Sequence, residues 1–524
     1  IEARLYTVSR GILPIYVKSY YCRKCHTRYM PNYKVTGASE ADAERVYFEE
    51  LPHIMGATRT SYFEVKLIEV FQQAMVTLHA SASGIVQWYN DGLQTPATNV
   101  PNNFVLNNKL TAELVYEAFF LHGLILDAYN RGVSLTLPNG GEQRDRMDRA
   151  LEERNKRMVG MGQEFWAHRC KICMQLFQGS DGKIYAADAG TMDGVTMGFP
   201  CCSVEGICHI DLKTPKERFC PSHSDRKDKC FVAGCDLPPD KENKSLACST
   251  PAHHERELEV RRRTHKGMRE LLSRYLRRPW GEQDESSAVS TTESQPTAIS
   301  DDPMPQTEGI ELNVGTLFKA HNILGKVLGQ LNRKWTHNEQ LFVRPCGVIV
   351  SRCTFYHAES LTASADFLKV TFPTSRYPNC LPSFIFYDNN CSLLHHLWKQ
   401  RDAYFNKTGM VVETWHAQSH KETDEFCRNW CLPSRFPELM KEGKKGGKEW
   451  RFNASAAEQA NGWFGSYHPI VREMPCVRYN FYLDEMITLR NWVTVAKLEE
   501  RGKAPVLVPE HVLKAEVVLI PGAN

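Results

Sequence analysis

The sequence lacks four features, and each absence excludes a class of protein. It has no strong charge excess, since 64 Lys and Arg face 61 Asp and Glu, so a histone-like polycation is excluded and any nucleic-acid contact needs local basic patches. Its most apolar helical stretch, residues 114–129, contains Glu117, His122 and Asp127 and is too short to cross a bilayer. No secretory signal and no internal repeat are evident. We therefore predict a protein without a membrane partner.

Cysteine, by contrast, is abundant. Eighteen cysteines occur in the 524 residues, most of them in pairs spaced for metal binding and interleaved with histidine. This pattern favours thiolate and imidazole ligands of zinc in a reducing compartment over a disulfide framework. A chain of this length with 42% hydrophobic residues can bury cores in roughly three or four domains. We predict about four structural zinc ions.

The most compact ligand pattern is His416-x3-His420-x6-Cys427-x3-Cys431. Two histidines four residues apart share one face of a helix, and the two cysteines complete a tetrahedral set. Because four protein ligands leave no open position for water, the predicted site is structural.

A longer segment, residues 201–254, predicts two further zinc sites, each with three cysteines and one histidine. It has few large apolar residues, so metal binding would supply much of its folding free energy. Cys201 and His254 are adjacent alternative ligands, and interleaved pairing between the two halves is a second possibility. The two predicted ligand sets are Cys202, Cys208, Cys220 and His223, and Cys230, Cys235, Cys248 and His253.

Two short pairs, Cys22-x2-Cys25 and Cys170-x2-Cys173, are each half of a zinc-ribbon pattern. They complete one four-cysteine site if the helical block between them loops out. Thioredoxin-like redox chemistry is the alternative, but neither pair opens a helix after a strand. The scattered remaining cysteines are predicted to be buried thiols rather than ligands. These are Cys346, Cys353, Cys380, Cys391 and Cys476.

Three carboxylates lie in local patterns that could bring them to one edge of a sheet. Asp388 follows an apolar run that predicts a buried strand. Asp193 lies in a predicted hairpin, in which Asp188 is an alternative ligand. Glu458 lies three residues after Ser455, a spacing that also suits a helix capping box. A hairpin strand, a later strand and a helix that offer these acids to one sheet edge would build a two-metal site for Mg²⁺ or Mn²⁺ in a ribonuclease-H-like fold.

Two other sets of charged residues have simpler interpretations. Glu413, Glu422 and Asp424 are interpreted as helix-surface groups or neighbours of the two-histidine, two-cysteine site. The basic segment 255–280 predicts a helix that faces phosphates, with a solvated helix face as the alternative.

The patterns along the chain predict an α/β protein with a mixed sheet, flanking helices and several insertions. The predicted segments are zinc-ribbon-like knuckles at 1–35 and 160–178, a helical insertion at 36–159, the first core strands at 179–200, the two-zinc module at 201–254, the basic helix at 255–280, a disordered linker at 281–310, the rest of the core at 311–500 and a tail at 501–524.

Four stretches of the sequence resemble the Kyakuja-Dileera-Zisupton (KDZ) transposases, and in particular fungal proteins with CxC-type cysteine clusters associated with KDZ elements. The resemblance covers roughly residues 10 to 500. The stretches are 386–391, 416–431, 450–459 and 472–486.

The resemblance implies a ribonuclease-H-like DDE transposase core that is interrupted by zinc-binding inserts. In that family's pattern Asp388 matches the second strand acid, Glu458 matches the helix acid, and Asp193 is matched to the first strand acid. The implied activity is metal-dependent cleavage and strand transfer at transposon ends, with two catalytic Mg²⁺ or Mn²⁺ ions. The expected partners are double-stranded DNA and further copies of the chain on that DNA, in the nucleus. The alternatives are an inactive domesticated DNA-binding protein and a zinc-scaffolded adaptor of chromatin factors.

Overall fold

The structure is a computed structural model of the chain. Its described residues fall into two compact units, a larger one (Ile1–Pro200, Lys213–Lys216 and Trp335–Asn524) and a smaller one (Cys201–Leu212 and Glu217–Lys334). The residues described are 1–37, 39, 42–93, 109–178, 182, 184–203, 208, 210, 212, 214, 216–232, 235–243, 245–258, 334–356, 359–413, 424–443 and 447–514.

The larger unit begins with two small sheets and four helices. The strands have the orders β2-β1-β8-β7 and β3-β4-β5-β6-β9. They are β1 (Glu2–Tyr6), β2 (Ile12–Tyr16), β3 (Tyr20–Tyr21), β4 (Arg28–Tyr29), β5 (Tyr33–Thr36), β6 (Glu44–Tyr47), β7 (Ile54–Gly56), β8 (Ser61–Glu64) and β9 (Thr136–Pro138). The helices are α1 (Val65–Leu78), α2 (Ala82–Trp88), α3 (Ala112–Asn130) and α4 (Asp148–Met158). The predicted helical insertion at 36–159 therefore also contains strands.

A six-stranded mixed sheet forms the centre of the larger unit. Five strands follow the order β16-β15-β12-β17-β18, and β11 pairs with β12. Of these five, β15 is antiparallel to both its neighbours, and β17 is parallel to β12 and β18. The strands are β11 (Met174–Gln178), β12 (Ile184–Val195), β15 (Asn338–Val343), β16 (Ile349–Phe355), β17 (Phe384–Phe386) and β18 (Gly409–Val411).

Hydrophobic side chains cover both faces of this sheet because successive residues of a strand point to opposite sides. On β15, Leu341 and Val343 join one core, whereas Phe342 joins another. All three residues of β17 are buried, as expected for an apolar strand in the interior of a sheet.

The other elements of the larger unit flank this sheet or extend from it. The remaining strands are β10 (His168–Arg169), β19 (Met440–Glu442), β20 (Lys448–Trp450) and β21 (Val506–Leu507), with β10 paired to β21 and β19 to β20. Counting the smaller unit's helix at 251–258 as α5, the later helices are α6 (Leu361–Thr371), α7 (Asn390–Lys399), α8 (Glu425–Trp430), α9 (Ala456–Phe464), α10 (His468–Val471), α11 (Cys476–Glu500) and α12 (Glu510–Lys514). None of the described helices is long and apolar enough to cross a membrane.

The smaller unit has little regular secondary structure. The chain enters it through β13 (Pro200–Cys201) and leaves it through β14 (Lys334–Trp335). Between them lie a 3₁₀ segment, Pro221–Asp228, and α5. Its two buried clusters are built largely from cysteines with a few apolar residues. The predicted linker 281–310 lies outside the described residues, as does the basic segment beyond residue 258.

Candidate acidic site and cysteine-histidine clusters

The three acids singled out in the sequence line one cavity of the larger unit. Asp193, Asp388 and Glu458 surround a small cavity of about 10 Å³, together with a fourth carboxylate, Glu413. Residues 386–388 and the start of α9 also line it. Nothing local brings these residues together, because each belongs to a different element.

The parallel pairing of β12 with β17 places the first two acids. The register joins Ala189 to Phe384 and Thr191 to Phe386. Continued by two residues, the same register sets Asp193 beside Asp388 on one face of the sheet, because side chains alternate with a period of two. The prediction that the strand of Asp193 pairs beside the strand before Asp388 is therefore confirmed.

Asp193 is held by two hydrogen bonds and lies in an acidic environment. The backbone N–H of Gly194 donates to its Oδ1 at 2.8 Å, and Asn461 Nδ2 donates to its Oδ2 at 2.8 Å. Burial raises the pKa of Asp193 to about 6, and the nearby carboxylates of Asp388 and Glu359 add to the rise against the two hydrogen bonds. The prediction that one acid of the cluster has a raised pKa is confirmed.

Glu413 is a member of the cavity that the sequence interpretation missed. It follows β18, is buried, and accepts a hydrogen bond from Ser455 Oγ at 2.5 Å. The sequence pattern assigned it to the neighbourhood of a zinc site. The signal that could have placed it is its position just after the apolar residues 409–412, which resembles the position of Asp388 after β17.

Helix α9 carries Glu458 to the cavity on an exposed position. It packs against β12 and β15, but with a different face from the one expected. Its buried residues include Ala457, Ala460 and Phe464, whereas the Trp463 indole N–H donates to the carbonyl of Val76 at 3.0 Å on α1. The predicted Trp463 face is therefore wrong, because this side chain serves the contact between helices.

At the start of α9, the Ser455 half of the capping box that the spacing suits is not formed. Ser455 precedes the helix but makes no side-chain capping bond. Its hydroxyl donates to Glu413 instead. Glu458 lines the cavity.

Asp188, the alternative first acid, has a different role. It is buried and pairs with Arg169 at 2.8 Å and Arg344 at 3.2 Å. Its Oδ1 also accepts from the backbone N–H of Ser383 at 2.8 Å. Burial acts to raise the pKa of Asp188, but the two guanidinium groups and Ser383 outweigh it and hold the pKa below its usual value. Asp188 does not line the acidic cavity.

The smaller unit brings together both predicted ligand sets of its sequence. Each set has its four ligand atoms within 4.8 Å of one another. Cys208 Sγ lies 3.7 Å from Cys220 Sγ, and Cys235 Sγ lies 3.8 Å from Cys248 Sγ. The alternatives that used Cys201, His254 or interleaved pairing do not form. The groups are Cys202, Cys208, Cys220 and His223, and Cys230, Cys235, Cys248 and His253.

The predicted four-cysteine site is wrong in its pairing. Cys170 and Cys173 lie with His168 and Cys346, not with Cys22 and Cys25. Cys22 and Cys25 flank the turn between β3 and β4, where Cys25 is exposed. Cys346, interpreted from sequence as a buried thiol, is instead part of a possible ligand set. A pair of cysteines has no way to specify distant partners, so only the fold could show this.

A further group lies beside the acidic cavity. Cys391 and Cys427 share a cluster with Asp424, and Cys431 is buried in the same hydrophobic contact set. Cys391 is buried, as predicted, and it also belongs to a group that could hold a metal ion. The predicted ligands His416 and His420 lie outside the described residues, so their part of this site stays a prediction.

Two segments of the chain match family models. Residues 1–93 match the CxC5-like cysteine cluster associated with KDZ transposases, and residues 191–259 match the CxC6-like cysteine cluster associated with KDZ transposases. The chain carries two KDZ-associated cysteine clusters. No curated protein and no solved structure matches it.

The two KDZ-associated clusters confirm the suspected resemblance and bear on the metal groups. The CxC5-like segment contains Cys22 and Cys25, and the CxC6-like segment contains both four-residue groups of the smaller unit. These matches indicate a transposase-related role. The cavity acids Asp388 and Glu458 lie beyond both matched segments.

Proposed function

We propose that the protein is a DNA transposase that cleaves transposon ends and joins them to target DNA. The observation that carries the proposal is the convergence of Asp193, Asp388, Glu413 and Glu458 on one cavity. These four acids come from a strand, two strand ends and a helix that are distant in sequence. A shared cavity of carboxylates is the donor set that a phosphodiester-cleaving site requires.

A ribonuclease-H-like core is part of this proposal. Its support is the mixed sheet in which the antiparallel β15 pairs with the strand of Asp193, and β17 runs parallel to that strand and ends before Asp388. Helix α9 packs on the same sheet and brings Glu458. The strand of Asp193, the strand before Asp388 and the helix of Glu458 are the three elements that the resemblance to KDZ transposases implies.

The residues of the cavity fit divalent cations of the Mg²⁺ class. Hard carboxylate oxygens are the ligands that Mg²⁺ and Mn²⁺ prefer. Asp193, Asp388, Glu413 and Glu458 would hold such ions, which would stabilise the attacking and leaving oxygens of a phosphodiester. Within the chain, Gly194 and Asn461 fix the orientation of Asp193, and Ser455 fixes that of Glu413.

The proposed reaction has two steps and needs no covalent protein intermediate. Water attacks the phosphodiester at the transposon end and releases a DNA 3′-hydroxyl. That hydroxyl then attacks a phosphodiester of the target DNA, which joins the transposon end to the target's 5′ phosphate and releases a 3′-hydroxyl of the target strand. The cysteine-histidine clusters and the basic segment are the proposed DNA-contacting surfaces, and assembly of several copies on DNA in the nucleus belongs to the same proposal.

Cleavage of DNA that carries the ends of the encoding element tests the proposal. We expect Mg²⁺- or Mn²⁺-dependent nicking by the wild-type chain and loss of nicking by Asp388→Asn. The control is Asp366→Asn, the same change at an exposed position of α6 outside the cavity. End binding without nicking by the wild type would support the inactive DNA-binding alternative, and equal nicking by Asp388→Asn would refute the site.

A further inference from the structure

The group of His168, Cys170, Cys173 and Cys346 joins two parts of the larger unit that are distant in sequence, the segment 168–173 and the turn at Cys346. His168 belongs to β10, the two neighbouring cysteines lie in the turn before β11, and Cys346 lies in the hairpin turn between β15 and β16. Their four ligand atoms lie within 4.8 Å of one another. His168, Cys170 and Cys173 are buried.

The distances in this group fit tetrahedral zinc coordination. Zn–S bonds of about 2.3 Å and Zn–N bonds of about 2.0 Å separate neighbouring ligand atoms by roughly 3.5 to 3.8 Å. Cys170 Sγ lies 3.6 Å from Cys173 Sγ, and Cys346 Sγ lies 3.3 Å from His168 Nε2. The sulfur atoms are much too far apart for a disulfide, whose bond is about 2.05 Å.

The CxC6-like segment provides an internal comparison. Its thiol pairs are separated by 3.7 and 3.8 Å, and its cysteine–histidine contacts are as short as 3.3 and 3.2 Å. In both of its groups a backbone N–H donates to a cysteine sulfur. The backbone N–H of Cys170 donates to Cys173 Sγ at 3.2 Å in the same way. The new group thus has the spacing and the sulfur hydrogen bonding of the family-matched groups.

Charge balance next to the group points independently to a metal. Arg169 and Arg344 are both buried, and both pair with the single carboxylate of Asp188. The Nε of Arg344 is buried and has no hydrogen-bond partner among the residues that the structure describes. Together, Arg169, Arg344 and Asp188 therefore carry two positive charges and one negative charge. Three thiolates and one neutral imidazole on Zn²⁺ carry a net charge of −1, which would balance the set, whereas neutral thiols would not.

We propose that His168, Cys170, Cys173 and Cys346 bind a structural zinc ion that fixes the register of β12 and β17. Four protein ligands leave no open position, so this ion has no direct part in chemistry. It balances Arg169 and Arg344, which hold Asp188, and Asp188 in turn holds the backbone of Ser383 at the start of β17.

The consequence of this zinc site reaches the acidic cavity through the two strands. Asp188 and Ser383 are 195 positions apart, and the same offset relates Asp193 to Asp388 in the extended register. The contact at one end of the strand pair thus sets the alignment of the acids at the other end. The zinc assignment is independent of the proposed nuclease activity.

Zinc content of the full chain tests the ligand set. We expect Cys346→Ser to hold one zinc ion fewer than the wild type and Cys346→His, which restores a ligand, to hold the full number. Cys353→Ser is the matched control, because Cys353 lies on the adjoining strand β16 and in none of the described ligand groups. Full zinc content in Cys346→Ser, with one ion lost in Cys22→Ser/Cys25→Ser, would overturn the assignment in favour of the four-cysteine pairing.

Two further measurements extend the test, and the first keeps the proposal testable even if Cys346→Ser does not fold, because it uses the wild type. Anomalous scattering at the zinc edge from crystals of the wild type should show a peak amid the four ligand atoms, and its absence while other clusters give peaks would overturn the site. Hydrogen exchange of the backbone amides 384–386 should be faster in Cys346→Ser than in Cys353→Ser. Loss of the ion with unchanged exchange there would refute the role in strand register.

Discussion

Two aspartates on one strand show how neighbouring groups set the role of a side chain. Asp188 lies between two buried arginines, which hold its pKa low and keep it ionised. Five residues later, Asp193 faces other carboxylates and is partly buried, so its pKa is raised. The first is therefore a structural ion-pair partner. The second is suited to bind a cation that replaces its proton.

The raised pKa of Asp193 predicts a pH-dependent stability in buffer without divalent cations. The folded chain holds this proton up to about pH 6, whereas the unfolded chain releases it near the ordinary carboxyl value. The bound proton stabilises the folded state at lower pH. This stabilisation is lost as the pH rises through about 6, because the folded state then releases the proton as well. Two pKa units correspond to about 3 kcal/mol at most.

The measurement is the free energy of unfolding of the wild type and of Asp193→Asn at pH 4.5 and pH 7.5. Asn cannot ionise, so the wild type should lose stability relative to this variant as the pH rises. Added Mg²⁺ favours the ionised carboxylate and should reduce the difference. If the difference in free energy of unfolding between the wild type and Asp193→Asn is the same at both pH values, the raised pKa of Asp193 is contradicted.

Glu458 gives a prediction about chemistry without a change in stability. Its side chain is exposed, and Gln has nearly the same shape and can still accept a capping hydrogen bond. Glu458→Gln should therefore change the free energy of unfolding by no more than about 0.5 kcal/mol. If the proposed site is correct, the same variant should lose DNA cleavage while it retains binding of the DNA ends. Cleavage at the wild-type rate would remove Glu458 from the site.

At the scale of elements, the parallel pair β12 and β17 is the support of the candidate site. The two strands pair over only three residues each, Ala189–Thr191 and Phe384–Phe386. The contact of Asp188 with Ser383 extends this short pairing at its beginning. Helix α9 closes the other side by the bond from Asn461 to Asp193.

Asp188→Asn should destabilise the larger unit strongly. The change removes the negative charge and leaves Arg169 and Arg344 buried without it. Loss of one partner of a buried ion pair costs about 3 to 5 kcal/mol. Urea unfolding of this variant, compared with Asp366→Asn at the exposed surface of α6, measures the effect. A cost below about 1 kcal/mol would show that the ion pairs do not support the strand pair.

At the scale of the whole molecule, the two units rely on different sources of stability. The larger unit has extensive hydrophobic cores on both faces of its central sheet. The described part of the smaller unit has only two small clusters, in which cysteines are the main members. A segment with so little apolar burial needs metal binding to offset the entropy of folding.

The four described ligand groups predict about four zinc ions in the purified chain. Their removal by a chelator should unfold the 202–253 segment first, while the hydrophobic core of the larger unit persists. Elemental analysis gives the ion count, and limited proteolysis before and after chelation locates the unfolded segment. One zinc ion or fewer, with thiols that react readily in the native protein, would contradict the role of zinc in both units.

The sequence alone determined what short-range patterns can encode. The ligand sets of the smaller unit follow from cysteines and histidines that are close in sequence, so spacing could identify all eight residues. The apolar run before Asp388 likewise predicted a buried strand and an acid at its end. Identifying Asp193 as well depended on the resemblance to KDZ transposases, since its local Asp-Gly pattern suits any hairpin.

Only the tertiary structure decided which distant residues meet. Glu413 joins the acids through the parallel pairing of β18 with β17, and Cys346 joins Cys170 through the turn between β15 and β16. Tertiary structure also separates the roles of Asp188 and Asp193, because Arg169 and Arg344 surround Asp188 only. Local sequence sets backbone preference and side-chain chemistry, but pairing across hundreds of residues depends on how sheets and cores assemble, and no spacing rule records that.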